Sequence, residues 1–271
     1  MNKQTVLITG ASSGIGMATA LLLNQKGYRV YAAARQVEKM QHLAQAGIHV
    51  VAIDVTKEES MVAAIERINN ETGGVDVLVN NAGYGSYGAV EDVLISEARY
   101  QFEVNIFGMA RLIQLVLPRM REKRAGRIIN ISSIGGKIGE PHGAWYHATK
   151  FAVEGLSDSL RMELRQFNID VVVIQPGAIK TEWNRIAREN LIKVSGHTVY
   201  KDLAHKHAGM LANADARGSE PEGIADAIAK AITARKPKTR YAAGMGATLI
   251  LTLRKILSDR AFDRLILSQM K

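Results

Sequence analysis

Short apolar runs alternate with helix-patterned stretches along most of this chain, and that alternation decides what it can fold into. Residues 4–9 form the first apolar run, which ends in Gly10-Ala11-Ser12-Ser13-Gly14-Ile15-Gly16. Residues 17–25 follow with Ala18, Leu21, Leu22 and Leu23 in a helical pattern. Further strands are expected at 28–34, 48–53, 75–79, 126–131, 169–174 and 239–243. Helices are expected at 57–72, 96–121, 146–166 and 219–234, the last opened by a capping box in Ser219-Glu220-Pro221-Glu222. Residues 169–174 are apolar and β-branched apart from Asp170, as a strand buried on both faces would be. The expected fold class is α/β, a doubly wound, Rossmann-type parallel sheet built from right-handed βαβ units with helices on both faces.

Ligands bind such sheets beyond the carboxyl ends of the strands. The segment Gly10 to Gly16, Arg35, Asp54, Asn80 to Gly83, Ser133 and Pro176-Gly177 all fall at those ends. In the first turn, glycines let the backbone approach a pyrophosphate, and the helix start offers free N–H groups. The spacing is G-x-x-x-G-x-G, which differs from the usual dinucleotide fingerprint. At the end of the second strand stands Arg35, where many NAD-binding folds carry an acidic residue. A guanidinium binds a 2′-phosphate with charge-assisted hydrogen bonds, so NADP(H) is expected over NAD(H).

Tyr146 and Lys150 are four apart in a helical run and so share one helix face. A fixed cation beside a phenol favours the phenolate, which suits acid–base work near neutral pH. Ser133, just past the strand at 126–131, is placed to offer a hydroxyl to the same substrate oxygen.

Composition removes other classes. The chain has 271 residues and no cysteine, which excludes disulfides and thiolate-bound metals and fits a reducing, cytoplasmic setting. Its start leaves no room for a signal peptide before the first strand, and no run reaches the ~18 apolar residues of a membrane span. The net charge of +9 is spread without an aromatic-interleaved basic patch, so anionic cofactors are expected in place of nucleic acid. His205 and His207 stand two apart, off a common helix face, and no metal site is expected.

Taken together, Thr9-Gly10-x-x-x-Gly14-x-Gly16, Asn80-Asn81-Ala82-Gly83, Asn105, Ser133, Tyr146-x-x-x-Lys150 and Pro176-Gly177 resemble the short-chain dehydrogenase/reductase family. The resemblance is strong over residues 3–181 and looser over 219–244, and within the family it leans to NADP-linked 17β-hydroxysteroid dehydrogenase-like members. It implies that Tyr146 is the general acid or base and that Lys150 holds the nicotinamide ribose and lowers the Tyr146 pKa. It further implies that Ser133 polarises the carbonyl and that Asn105 holds a water in a proton relay. Cofactor contacts are implied for Gly10, Ser12, Ser13, Gly14, Ile15, Gly16, Arg35, Asp54, Val55, Asn81, Ala82, Gly83, Tyr146, Lys150, Pro176, Gly177, Ile179 and Thr181. Family analogy implies a homo-dimer or homo-tetramer through the helices that carry Asn105 and Tyr146.

The expected organisation is a catalytic domain over 1–244 and a helical tail over 245–271. Within the domain, 182–218 is expected to be a substrate lid, with Gly196 and Gly209 as hinges and Trp183 or Trp145 walling an apolar site. The tail mixes apolar and basic residues; packing on the lid or on a partner subunit is favoured over a membrane surface. The expected activity is hydride transfer between a nicotinamide cofactor and a carbonyl or alcohol carbon of a lipophilic small molecule. Reduction of a 3-oxoacyl thioester and a dinucleotide-binding sensor or scaffold are the rival readings.

Overall fold

A computed structural model describes residues 3–270. Seven strands form one parallel sheet: β1 (Thr5–Thr9), β2 (Arg29–Ala34), β3 (His49–Ala52), β4 (Val77–Asn80), β5 (Gly126–Ile131), β6 (Ile169–Pro176) and β7 (Arg240–Ala243). Their order across the sheet is β3-β2-β1-β4-β5-β6-β7, and every pairing is parallel. The chain therefore builds outward from β1 in one direction, then restarts at β4 in the other. The crevice at that reversal, at the carboxyl ends of β1 and β4, is where such sheets bind ligands.

Alternate strand residues face opposite sides, and both sides are covered. Val6, Ile8, Val30 and Ala32 pack on one face under α1 (Gly14–Gln25), α2 (Gln41–Gln45) and α9 (Glu222–Thr233). Leu7, Tyr31, Leu78 and Ile128 pack on the other, under α3 (Glu58–Thr72), α5 (Gly108–Lys123) and α6 (Ala144–Leu164). This two-sided burial is the reason the strands read as apolar runs without polar alternation.

The helix expected over 96–121 is continuous but not uniform. It comprises α4 (Ile95–Phe102), a π-helical turn (Glu103–Phe107) carrying Asn105, and then α5. π turns inside α-helices cluster at functional positions. At the start of α5, a β-carbon on Gly108 would lie 2.3 Å from the Val55 carbonyl oxygen, so glycine permits this close approach to the end of β3.

Two expectations are corrected. The capping box at Ser219 does not form: α9 begins at Glu222 with Pro221 before it and no side-chain cap. The Ser219 backbone is committed elsewhere, its N–H donating to Ala178 O and its carbonyl accepting from Lys180 N, so the residue cannot turn into a cap. Residues 182–218 are two packed helices, α7 (Glu182–Ser195) and α8 (Lys201–Arg217). Gly196 closes α7, but Gly209 lies inside α8, where continuous helix leaves no hinge.

The tail forms α10 (Ala247–Ile256) and α11 (Asp259–Ser268). Phe262, Ile266 and Met270 are buried with Ile138 from the β5–α6 loop, against Ile134 and the α8 residues Leu203 and Met210. The tail thus packs on α8 and on the β5–α6 loop of its own chain. No helix among the described residues is long and apolar enough to cross a membrane.

Candidate active site

The glycine turn after β1 is clamped from β4. Asn81 Nδ2 donates to the carbonyls of Thr9 and Gly10 at 2.9 and 3.1 Å, and the N–H groups of Asn81 and Ala82 donate to Thr9 Oγ1 at 3.1 and 3.0 Å. Gly10 and Gly14 adopt φ of +64° and +53°, the left-handed region that favours glycine. Ser13 precedes α1 in extended backbone, its hydroxyl making no cap hydrogen bond. The N–H groups of the first turn of α1 are left facing out of the helix end, with the positive end of its dipole.

Beyond β2, Arg35 is exposed, and its Nη1 approaches the Tyr100 hydroxyl at 3.3 Å. Asp54 lies past β3. Burial would raise its carboxyl pKa, but hydrogen bonds from the Thr56 N–H and hydroxyl, with the Arg35 and Lys57 charges, hold it below the usual range. Val55 beside it is buried against the start of α5.

The first turns of α6 bring Tyr146 and Lys150 to the end of β5. Lys150 is buried, and its Nζ donates to the Ile131 carbonyl at 2.9 Å and stands 5.8 Å from the Tyr146 ring centre. Ser133 follows β5, its Oγ accepting from the Gly135 N–H at 3.0 Å. Asn105 projects from the π turn: Nδ2 donates to the Tyr84 carbonyl and Thr149 Oγ1, both at 3.0 Å, and Oδ1 accepts from the Tyr84 N–H. Its side chain is thereby fixed between α6 and the loop after β4. Gly83 adjoins both groups, since a β-carbon there would lie 3.1 Å from Asn105 Oδ1 and 3.8 Å from Lys150 Nζ.

The electrostatics depart from the sequence-based expectation. Burial pushes the Tyr146 phenol up to about 12, with the Ser133 hydroxyl pulling it down and the Glu140 carboxylate adding to the rise. Burial brings the Lys150 ammonium down to about 8, against the favourable charge of Glu154. In the protein alone, burial therefore dominates both groups and keeps this phenol from being acidic.

One cleft of about 310 Å³ unites these elements. Gly10, Ser13, Gly14, Ile15, Asn81, Ala82 and Gly83 line it at one end; Ser133, Tyr146, Lys150, Pro176, Gly177, Ile179 and Thr181 line its centre. Ser12, Gly16, Arg35, Asp54, Val55 and Asn105 lie outside this lining, Gly16 under the turn and Asn105 behind Gly83. Trp183 walls the cleft 4.9 Å from the Tyr146 ring, edge-on to Tyr87, whereas Trp145 does not reach it. Sequence reasoning missed Tyr87, Glu140, His147, Met210 and Leu211 in the wall. The one local signal was Gly85, where a β-carbon would lie 2.4 Å from Trp183.

Comparison with known proteins agrees with this geometry. The short chain dehydrogenase family model matches residues 4–191. A 3-ketodihydrosphingosine reductase of Bacteroides thetaiotaomicron is 37% identical over 90% of this chain and 89% of its own. An NADPH-dependent 3-dehydrocapnine reductase of Ornithobacterium rhinotracheale is 33% identical over 98% and 96%. The crystal structure of a short-chain dehydrogenase from Streptomyces avermitilis superposes with a TM-score of 0.79 at 33% identity, covering 96% of this chain and 94% of that one. The chain belongs to the short-chain dehydrogenase/reductase family, oxidoreductases that act on alcohol and carbonyl groups.

Proposed function

We propose that this protein is an NADP(H)-dependent oxidoreductase of a lipophilic carbonyl or alcohol compound, with Tyr146, Ser133, Lys150 and Asn105 as its catalytic machinery. The observation that carries the reading is the convergence of Ser133, Tyr146 and Lys150 on one cleft whose far wall is Tyr87, Trp183 and Leu211. The residues fit a dinucleotide. Glycine at 10 and 16 lets the turn and the start of α1 pack tightly against Ala82 and Asn81, the free start of α1 suits a pyrophosphate, and the exposed Arg35 guanidinium suits a ribose phosphate. One of the relatives described above is named as NADPH-dependent. When bound, the nicotinamide supplies or accepts the hydride.

The chain's own residues manage the oxygen. Tyr146 donates its phenolic proton to the substrate oxygen in reduction and takes it back in oxidation. Ser133 Oγ, oriented by the Gly135 N–H, donates its hydrogen to the same oxygen. Lys150, on one face of α6 with Tyr146, binds ribose hydroxyls and favours the charged form of the phenol as its proton leaves. Asn105, held by Tyr84 and Thr149 beside Gly83, holds a water that relays protons between Lys150 and solvent. The helices α7 and α8 act as the substrate lid, and Trp183 and Tyr87 exclude water from the reacting oxygen.

Exposed Phe107, Phe151 and Met162 on the π turn and α6 support subunit contact through these helices, in a cytoplasmic homo-oligomer. The test of the central reading is binding of NADPH and NADH to wild type and to Arg35→Ala, followed by NADPH oxidation against apolar ketones and aldehydes. NADPH preference that Arg35→Ala lowers by about 10–100-fold is expected, from the loss of charge-assisted bonds worth about 1.5–3 kcal/mol. Preference for NADH with a silent Arg35→Ala would overturn the cofactor assignment. No turnover of any apolar carbonyl compound would overturn the substrate class.

A further inference from the structure

The apolar end of the cleft is one side chain thick. Ile134 and Ile138 of the β5–α6 loop and Met210 of α8 line it. The same three residues belong to the cluster that buries Phe262, Ile266 and Met270 of the tail. Those tail residues are spaced by four, which places them on one face of α11 and of the turn that ends it. Ile138 and Phe262 keep only 5% and 3% of their surface exposed, so solvent does not separate the two layers. The inner face of α11 therefore backs the cleft wall.

This second layer is tied down at both ends. Arg254 of α10 lies 5.5 Å from the Phe262 ring centre, and its Nη2 donates to Asp259 Oδ1 at 2.7 Å, which joins α10 to the start of α11. The turn before α10 is joined in its turn to the loop after β6. There the Met245 carbonyl accepts the Ala178 N–H at 3.1 Å, and a β-carbon on Gly177 would collide with that same oxygen. Gly177 and Ala178 line the cleft, so the tail is held in register with the reaction centre. Tyr87 and Trp183 stand 5.8 and 4.9 Å from the Tyr146 ring and fill the space beside the reacting oxygen. An apolar chain that extends past them meets Ile134, Ile138 and Met210.

We propose that Phe262 and Ile266, which are not part of the cleft lining, set the length of apolar chain that the cleft accepts, by holding Ile138 and Met210 from behind. They are specificity-determining residues that act through the lining and touch neither substrate nor cofactor. Truncating either leaves an apolar hollow behind the wall, because surrounding side chains refill such space only in part. A hollow of this kind stays dry and takes apolar guests. Each further methylene buried there strengthens binding by about fourfold. A tail that served stability alone would, on truncation, lower activity on every chain length alike. The inference rests on the oxidoreductase reading above and adds to it the device that limits the substrate's length.

The test measures kcat/KM of the full-length protein for straight-chain methyl ketones from hexan-2-one to hexadecan-2-one, with whichever of NADPH and NADH it binds. Wild type is expected to rise by about fourfold per added methylene to an optimum and then to fall. Phe262→Ala and Ile266→Ala, made separately, are expected to move that optimum to longer chains. A ketone about two carbons past the wild-type optimum should gain on the order of tenfold in kcat/KM, with the shortest ketones unchanged. An optimum unmoved in both variants, or an equal loss at every length, overturns the proposal while leaving the oxidoreductase reading intact. Should both alanine variants fail to fold, Phe262→Leu is read in the same way, with a shift of about one carbon expected. The wild-type series is itself decisive against the proposal if kcat/KM never falls with length. Turnover of none of these ketones removes the apolar-carbonyl reading and this inference together.

Discussion

The β-carbon that Gly16 lacks would lie 2.4 Å from the carbonyl oxygen of Gly10 and 2.6 Å from Asn81 Nδ2. The start of α1 is thus seated directly on the turn that leaves β1, and that turn is in turn held by Asn81 from β4. Gly16 lies outside the cleft lining, so its role is to set the distance between helix end and turn. In Gly16→Ala neither neighbour yields easily, because one is backbone and the other already donates two hydrogen bonds. Overpacking of this kind costs about 1–3 kcal/mol. Thermal unfolding should show that loss, and NADPH titration should show weaker binding than wild type even where the variant is fully folded. Unchanged affinity and stability would mean that the helix shifts freely and the cradle is not rigid.

The opposed pKa shifts of Lys150 and Tyr146 make stability depend on alkaline pH in a definite sense. Lys150 titrates near 8 in the folded protein and at its ordinary 10.5 when unfolded. Between those values the unfolded chain holds the extra proton, so stability rises with pH. The full effect is on the order of 3 kcal/mol. Tyr146 acts in the opposite direction, because its phenol keeps its proton to about 12 in the fold and to 10.0 outside it. Its contribution is therefore lost as pH rises above 10.0. Urea unfolding from pH 7 to 10, wild type against Lys150→Met, isolates the lysine: the wild-type rise relative to the variant is the expected result, and parallel curves would refute it.

How much of this was legible in the sequence follows from where each residue sits. The strands β1, β4 and β6 are buried on both faces, so they are readable from apolar runs alone, and the strand-end positions carry Gly10, Asn81 and Pro176 with them. The Tyr146–Lys150 pair lies within one helix, where spacing determines the shared face. Glu140, Tyr87 and His207 meet only because a strand-end loop, the β5–α6 loop and α8 converge, and no local pattern announces contacts separated by that much chain. The Ser219 capping signal failed for the same reason, since a nonlocal bridge to Ile179 took its backbone. Tyr146 is the instructive case: helix spacing located the phenol beside a cation but said nothing of the burial that dominates its pKa.

Arg240 gives a stability prediction outside the cleft. From β7 its Nε donates to Glu154 Oε2 at 2.8 Å and its Nη2 to Asp158 Oδ2 at 2.7 Å. Glu154 is buried and also accepts from Gln175 Nε2. Removing the guanidinium leaves a buried carboxylate with weakened compensation, which typically costs about 3–5 kcal/mol. Lys137, 3.2 Å from Glu154, offsets part of that, so Arg240→Met should fall at the lower end. Chemical denaturation measures it directly, and a loss below about 1 kcal/mol would show the pair to be as dispensable as an exposed one.

Trp183 offers the sharpest test of the substrate wall. It stands at the start of α7, packs on Gly85, and faces both Tyr146 and Tyr87. An apolar substrate reaching Tyr146 must lie against its ring. Trp183→Ala removes a large apolar surface from the bound complex, so KM for apolar carbonyl compounds should rise by about 10–100-fold, corresponding to roughly 1.5–3 kcal/mol of burial. Tyr146 and Ser133 keep their supports in α6 and β5, so kcat should fall far less than KM rises. A variant that loses kcat with KM unchanged would instead place Trp183 among the groups that order the reacting atoms, and would move the apolar contact to Met210 and Leu211 on α8.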